Sequence, residues 1–345
     1  MSIEYRRLGN SGAIVTKFCL GTMTFGAEAN ETMSHALLDA YAAAGGNFID
    51  TADVYSAGAS EEIIGRWLKT HPTEAAQMVI ATKARFPMGT GPNDLGISRK
   101  HLGHALDTSL RRLGMERVDL YQMHGWDALT PIDETLRFLD DAIAAGKIAY
   151  YGFSNFLGWQ VAKASELAKA KGYTRPVTLQ PQYSLLVRGI EIEIVDACRD
   201  AGIGLLPWSP LGGGWLSGKY RRDVVPTGAS RLGENPQRGM EAYAPRNQQE
   251  RTWRILDAVE KVAKAHGRSM AQVALAWVAQ QPAVTSVILG ARTRDQLADN
   301  LAAASLELNE DQLSILNVAS ALELEDYPYG AGGTSQRRRK MEGGR

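Results

Sequence analysis

Phe48–Lys69 reads FIDTADVYSAGASEEIIGRWLK, a strand, a loop and a helix in succession. The apolar Phe48-Ile49 stops at Asp50; a Thr-Ala-Asp turn follows, then Tyr55 in a loop of small residues. Ser60 opens a helix with Glu61 and Glu62 in its first turn and Ile63, Ile64, Trp67 and Leu68 as its apolar stripe. Asp50 thus ends a buried strand, and Tyr55 lies in the loop before the next helix. In parallel α/β proteins that edge is where chemistry is done. An acid and a phenol five residues apart also fit a structural cap and an exposed aromatic, and this stretch alone does not choose.

Outward from it the same unit recurs. Apolar runs at 18–21, 47–50, 78–82, 118–122, 148–153, 177–181, 203–207 and 284–289 predict strands. Amphipathic patterns at 31–44, 60–69, 99–113, 132–145, 158–171, 190–201, 269–280 and 293–303 predict helices between and after them. Strict alternation calls for parallel strands and right-handed crossovers, and eight units favour a closed (β/α)8 TIM barrel. No Gly-x-Gly-x-x-Gly turn follows an early strand, which argues against a dinucleotide-binding open sheet. An N-terminal β-hairpin is expected across residues 4–21, centred on Gly9-Asn10-Ser11-Gly12. Helix 250–266 is extra to the barrel, and residues 209–248 form a long loop after strand seven, of a kind usually functional. One domain is expected over residues 1–325, with 326–345, including the basic Arg337–Lys340, as a flexible tail.

Composition limits the partners. Hydrophobic residues make up 44% and charged residues 22%, with 38 Lys plus Arg against 38 Asp plus Glu. A zero net charge supplies no bulk attraction to nucleic acid or an anionic membrane. Cys19 and Cys198 read as reduced core residues. No apolar run reaches signal-peptide or membrane-spanning length, so a cytoplasmic protein, monomeric or weakly self-associating, is expected.

At the strand ends stand Asp50, Lys83, His124, Ser154-Asn155, Gln180, Trp208-Ser209 and Gly290-Ala291-Arg292. Each has a plainer reading: Lys83 as a surface charge, His124 as a capped imidazole, Asn155 as a helix cap. As a set they are coherent. A free phenol titrates near ~10; an ammonium beside it favours the phenolate, and a carboxylate behind holds the ammonium charged and aimed. Tyr55, Lys83 and Asp50 supply those roles, and a neutral His124 could polarise a carbonyl oxygen. With no nucleophile, metal cluster or phosphate-cradling lysine in evidence, the set points to carbonyl reduction by an external hydride donor.

The sequence resembles the aldo-keto reductases over roughly residues 4–322. The resemblance is carried by Leu20-Gly21-Thr22-Met23, the FIDTADVY run, Thr82-Lys83, Asp119-Leu120-Tyr121-Gln122-Met123-His124, Gly152-Phe153-Ser154-Asn155, Gln180-Pro181-Gln182-Tyr183, Trp208-Ser209-Pro210-Leu211-Gly212 and VILGARTRDQLADN. It implies Tyr55 as proton donor in reduction and base in oxidation, tuned by Lys83 and Asp50, with His124 orienting the carbonyl. Ser154, Asn155 and Gln180 are implied to hold a nicotinamide carboxamide, Trp208 to stack on its ring, and Thr22 and Met23 to border the cofactor. Ser209, Leu211 and Gly213 resemble a pyrophosphate-side loop, with Lys219 reaching a phosphate. Gly290, Arg292, Thr293, Gln296 and Asn300 match an adenosine-binding segment.

The chain departs from the common pattern by having Gly290 and Gln296 where many members carry Lys and Arg, which leaves Arg292 as the cation for a 2′-phosphate. NADPH is the expected cofactor, with NADH use left open. The G-A-R-T form is closer to the bacterial and potassium-channel-β-like branch, so a dinucleotide-binding sensor subunit is the competing reading. Phe25, Phe86 and Trp126 are expected to line the pocket for a fairly large, weakly polar carbonyl or alcohol substrate. The glycine-rich 212–240 segment is expected to fold over the cofactor; a loop already packed by Trp215, Leu216 and Tyr220 is the alternative.

Overall fold

The computed structural model describes residues 3–336. The expected hairpin forms from β1 (Tyr5–Arg7) and β2 (Ile14–Thr16), antiparallel. Eight parallel strands follow: β3 (Phe18–Gly21), β4 (Phe48–Asp50), β5 (Val79–Ala84), β6 (Val118–Met123), β7 (Ile148–Ser154), β8 (Thr178–Gln180), β9 (Gly204–Leu205) and β10 (Val287–Gly290). From β3 to β9 each pairs with the next in sequence, and β10 pairs with β3. The seam between β9 and β10 is closed by backbone N–H groups of Leu205 to Ala283 O (2.8 Å), Thr285 to Leu205 O (2.9 Å) and Ile288 to Pro207 O (3.0 Å). The result is a TIM-like barrel.

Side chains alternate across its wall, as the two-residue period of a strand requires. Cys19, Phe48, Ala81, Leu120 and Ile288 fill the interior, joined by Leu8 and Val15 of the hairpin. Their neighbours Phe18, Leu20, Ile49, Ile80 and Tyr121 belong to the larger outer cluster beneath the helices. The hairpin therefore plugs the amino-terminal end of the barrel and leaves the carboxyl end as the mouth.

Differences from the expected elements are local. Strand seven shrinks from 203–207 to Gly204–Leu205 because Pro207 has no N–H for the ladder. Helix 190–201 resolves into a 3-10 turn at Gly189–Glu191 and a helix at Ile194–Ala201. A helix unforeseen from the sequence, Glu310–Ala319, starts from an Asn309–Gln312 capping box. Part of the expected flexible tail is a turn and a short helix, Ala331–Ser335, tied by the Tyr329 hydroxyl donating to Glu193 Oε1 at 2.8 Å. Arg337–Lys340 lie outside the described residues. Cys19 and Cys198 are buried thiols, and no described helix is long and apolar enough to cross a membrane.

Gly9 marks how closely the plug fits. Its φ is +56°, and a Cβ there would stand 1.9 Å from Val177 O. Gly9→Ala is expected to destabilise the fold by more than about 1 kcal/mol, read as a lowered urea midpoint at unchanged slope. A midpoint equal to wild type would mean the hairpin is not seated on the barrel.

Candidate active site

Alternation also decides which strand-end groups face the mouth. Asp50 lies two residues beyond the interior Phe48, Lys83 two beyond Ala81, Gln122 two beyond Leu120, and Trp208 two beyond Leu206. All therefore point inward at the carboxyl end. Tyr55 begins a 3-10 turn, Tyr55–Gly58, in which Ser56 (φ 49°) and Ala57 (φ 54°) adopt left-handed backbone. The Ser56 hydroxyl donates to Phe25 O at 2.7 Å and fixes the turn over the mouth. Non-glycine residues in that region carry strain, held here beside the phenol.

Lys83, fully buried, distributes all three ammonium protons: to Asp50 Oδ2 (2.6 Å), Thr51 O (2.7 Å) and the Tyr55 hydroxyl oxygen (3.2 Å). The phenol oxygen accepts that bond, so its own proton is directed away from Lys83. Asp50 is held in turn, its Oδ1 accepting from Gln180 Nε2 (2.8 Å) and Gln122 Nε2 (3.1 Å). The His124 ring stands edge-on to Tyr55 at 5.8 Å, and Phe86 lies against His124 at 4.7 Å.

Burial pushes the Tyr55 phenol above its ordinary range, and the Lys83 ammonium only partly offsets this. That corrects the expectation of a net lowering: in this structure Tyr55 keeps its proton at neutral pH. Lys83 is disfavoured as a cation by burial, but Asp50, then the phenol, raise it overall. His124 is held well below its usual range by burial, Lys83 and Arg85, and is neutral. Among the described residues its Nδ1 has no hydrogen-bond partner.

A buried, ion-paired lysine against a phenol at a barrel mouth is the arrangement that the sequence resemblance required. The aldo/keto reductase family model matches residues 17–321. The chain belongs to the aldo/keto reductase family. It is 36% identical over 333 residues to the uncharacterized oxidoreductase YrpG of Bacillus subtilis (strain 168), covering 91% of this chain and 95% of the relative. It is 37% identical over 303 residues to a probable voltage-gated potassium channel subunit beta of Oryza sativa subsp. japonica, covering 87% and 91%. Versiconal hemiacetal acetate reductase of Aspergillus parasiticus is 33% identical over 337 residues, covering 91% and 96%.

Other candidate residues of this aldo/keto reductase divide into groups facing the mouth and groups spent on the scaffold. Asn155, in left-handed backbone, donates from its side-chain amide to His124 O (3.1 Å) and accepts from Trp208 Nε1 (3.1 Å), tying three strand ends together. Trp208 and Trp126 are part-exposed, and Met23 is 44% exposed. Phe25, expected in the pocket, is fully buried in the outer core and does not line the mouth. Thr22 is also buried, its hydroxyl donating to Asp50 O (3.0 Å). Ser154 donates to Gln180 O (2.9 Å). The Gln180 amide donates to Asp50, so Thr22 and Gln180 brace the acid or its strand, and Ser154 braces Gln180.

The loop after β9 is folded. Trp215, Leu216 and Tyr220 are buried, and Trp215 stacks on Tyr243 at 5.4 Å, as the packed alternative required. Ser209 and Gly213 have positive φ, and Leu211 precedes the 3-10 turn Gly212–Ser217. Farther on, the loop reaches the barrel through ion pairs: Arg238 to Glu28 (2.6 Å) and Arg292 to Glu234 (2.8 Å), with Arg292 to Glu28 at 3.4 Å. Lys219, lying across Gly214, and Arg231 join Arg292 there. Arg231 and Arg238 escaped the sequence reading because tertiary folding alone brings them to Arg292. Thr293 caps helix Arg294–Leu301; the Gln296 side chain accepts from Arg292 N–H, and Asn300 donates to Gly290 O. No described His, Cys, Asp or Glu form a metal-binding group.

Behind Tyr55, the buried Asp53 and Glu61 share the neighbourhood of Arg112, which donates to Glu61 Oε2 (3.1 Å) and Asp53 O (3.4 Å). The Asp53 carboxylate oxygens have no partner among the described residues. Burial, then Glu61, push its carboxyl from 3.8 up to about 7. A raised carboxyl binds its proton more tightly folded than unfolded, so it lowers stability progressively as pH climbs from 3.8 to about 7. Asp53→Asn is therefore expected to stabilise the fold by roughly 1–4 kcal/mol at about pH 8 and hardly at all near pH 4. Equal effects at both pH values, by urea unfolding, would show that Asp53 is not the titrating group.

Proposed function

We propose that this chain is an NADP(H)-dependent oxidoreductase that reduces an aldehyde or ketone to the alcohol, reversibly, with Tyr55 as proton donor. The observation that carries the reading is the allocation of the Lys83 protons. With Asp50, Thr51 O and the phenol oxygen as the three acceptors, Tyr55 accepts from the lysine and keeps its own proton for a carbonyl oxygen. A neutral His124 offers a second donor to the same oxygen.

The donor set fits a phosphorylated dinucleotide. Four cations, Lys219, Arg231, Arg238 and Arg292, gather around two carboxylates, Glu28 and Glu234, and Arg231 Nε has no partner among the described residues. Such an excess suits the pyrophosphate and 2′-phosphate, while Trp208 and Asn155 border the mouth for the nicotinamide end. When bound, the reduced nicotinamide supplies the hydride. The chain's own residues orient the carbonyl against His124, deliver the Tyr55 proton and hold Lys83 charged behind it. A relative named for reducing versiconal hemiacetal acetate supports a carbonyl-type substrate.

Tyr55→Phe keeps the ring and removes the proton. Turnover is expected to fall by about a hundredfold or more, with NADPH affinity within a few-fold of wild type by fluorescence titration. A variant retaining more than about a tenth of the rate would remove Tyr55 from the acid role. Similarity to a potassium channel subunit beta supports a second reading, a dinucleotide-binding sensor with residual turnover. Failure of a broad carbonyl panel to exceed about one turnover per minute, far below ordinary enzymes, would favour it.

Cofactor choice is assigned to Arg292, which must exchange Glu28 and Glu234 for phosphate. Arg292→Ala is expected to weaken NADPH binding roughly tenfold to a hundredfold while leaving NADH within a few-fold. Equal losses for the two, measured by calorimetry, would place the 2′-phosphate elsewhere.

A further inference from the structure

Proton transfer leaves one cation at the barrel mouth without a role. Lys83 points inward from β5 and Ala84 packs outward. The two-residue period therefore turns Arg85, just past the strand, back toward the mouth above Lys83. A Cβ on Gly125, the residue after His124, would stand 3.6 Å from Arg85 Nε. The Arg85 guanidinium lies 5.1 Å from the Phe86 ring, and Phe86 lies 4.7 Å from the His124 ring. The guanidinium is thus no farther from the imidazole than these two contacts laid end to end. Its charge is felt there, disfavouring the ionised form of His124.

What Arg85 lacks is a counter-ion. Part-buried Arg112, Arg188 and Arg246 each hold a carboxylate, at 3.1, 2.7 and 2.8 Å. Arg251 holds none but donates to four backbone carbonyls. Arg85 makes one side-chain bond, Nη2 to Trp126 O at 3.3 Å, and its buried Nε has no partner among the described residues. Asp127 feels its charge but is already committed. Its Oδ1 accepts from Leu129 N–H (3.0 Å), and its Oδ2 from the Thr130 hydroxyl (2.6 Å) and Ile97 N–H (3.3 Å). Lys83, by contrast, is balanced by Asp50 at 2.6 Å. An arginine fork with open donors, half out of water, is stabilised when an anion supplies the acceptors.

The fork is also in place beforehand. Arg85 O accepts from Gly96 N–H (2.8 Å) and Ala84 O from His124 N–H (3.0 Å), which ties its strand end to that of His124. Little ordering entropy then opposes binding. Nor does Arg85 belong with the cations assigned to the dinucleotide phosphates. In the sheet β5 lies three places from β10 and four from β9, the strands whose loops carry that cluster.

We propose that Arg85 is a specificity-determining residue that binds a carboxylate on the substrate, so that the preferred substrates are aldehydes or ketones with a carboxylate a few bonds from the carbonyl. The carbonyl end of this assignment rests on the carbonyl-reductase reading above; the anion site does not. A planar fork meets a carboxylate through two parallel charge-assisted bonds, which a neutral ester does not match. Tyr55 and His124 hold one end of such a substrate and Arg85 the other.

The test separates the anion site from the chemistry. 6-Oxohexanoate and its methyl ester serve as substrates. 5-Carbamoylpentanoate, with an amide in place of the aldehyde, is the equilibrium probe, titrated by calorimetry into the NADPH-loaded protein. Wild type is expected to show a kcat/KM about tenfold or more higher for the acid than for the ester, a gap that narrows with added salt. Arg85→Met is expected to raise the 6-oxohexanoate KM and the probe Kd about tenfold, with the ester kcat/KM and the NADPH Kd within about twofold. Burial and Lys83 still hold His124 neutral in that variant, so its ester pH profile should not move. Arg85→Lys, which keeps the charge without the fork, should recover part of the preference. A wild type that does not prefer the acid overturns the proposal with no variant needed, and decides the matter even if the urea midpoint shows Arg85→Met to be unfolded. Probe binding that is undetectable in wild type, or unchanged in a folded Arg85→Met, overturns it as well. So does an equal loss for the ester, or a matching loss for NADPH. If the probe binds in an Arg85-dependent way while no aldehyde is turned over, the anion site stands and the reductase reading falls.

Discussion

A fully buried ammonium must find an acceptor for each proton or lose its charge, and at the mouth of this barrel Lys83 finds three. Much of the site can be read as the consequence. Asp50 supplies the countercharge and is fixed by the amides of Gln122 and Gln180, so its geometry is set from two further strands. Thr51, next along the chain, offers its backbone carbonyl. Tyr55 is brought to the third proton by left-handed backbone at Ser56 and Ala57, strain that the surrounding bonds hold in place.

The same electrostatics divide the work among groups that all titrate in isolation. Burial acts on every one of them, but in opposite senses: it keeps the Tyr55 phenol protonated and His124 neutral, while Asp50 rescues the charge of Lys83. The site therefore presents two neutral donors above one buried cation, a combination suited to an oxygen that gathers negative charge. Asp53 and Glu61 form a second buried acidic layer behind Tyr55, with Arg112 donating to Glu61 Oε2 and to Asp53 O.

On the proposed function, cofactor binding is spread over a wider surface. The loop after β9 is anchored at one end by an aromatic cluster around Trp215 and at the other by ion pairs to Glu28 and Arg292. Aromatic packing is insensitive to salt and to anions, whereas exposed ion pairs respond to both. The half that bears Arg231 and Arg238 is accordingly the half that a bound phosphate would rearrange.

The sequence alone was enough for the strand count, the barrel and the hairpin, because strand period and helix amphipathicity are local properties, and it singled out Tyr55, Lys83, Asp50 and His124, which the fold brings together at the mouth. Their place at the carboxyl ends of strands was already legible as a set gathered at one edge. What it could not decide were matters of competition among distant groups. Thr22 was expected to border the cofactor and Gln180 to hold its carboxamide; that the Thr22 hydroxyl and the Gln180 amide also donate to Asp50 follows only from folding. Phe25 looked like pocket lining and is core, since the burial of a ring depends on which helix closes over it. Arg231 and Arg238 carried no motif, and their place beside Arg292 follows from how a forty-residue loop is tethered. The direction of the Tyr55 shift was likewise beyond sequence: burial and the carboxylates of Asp50 and Asp53 outweigh the Lys83 ammonium at 3.2 Å, and all of these meet only in the folded chain.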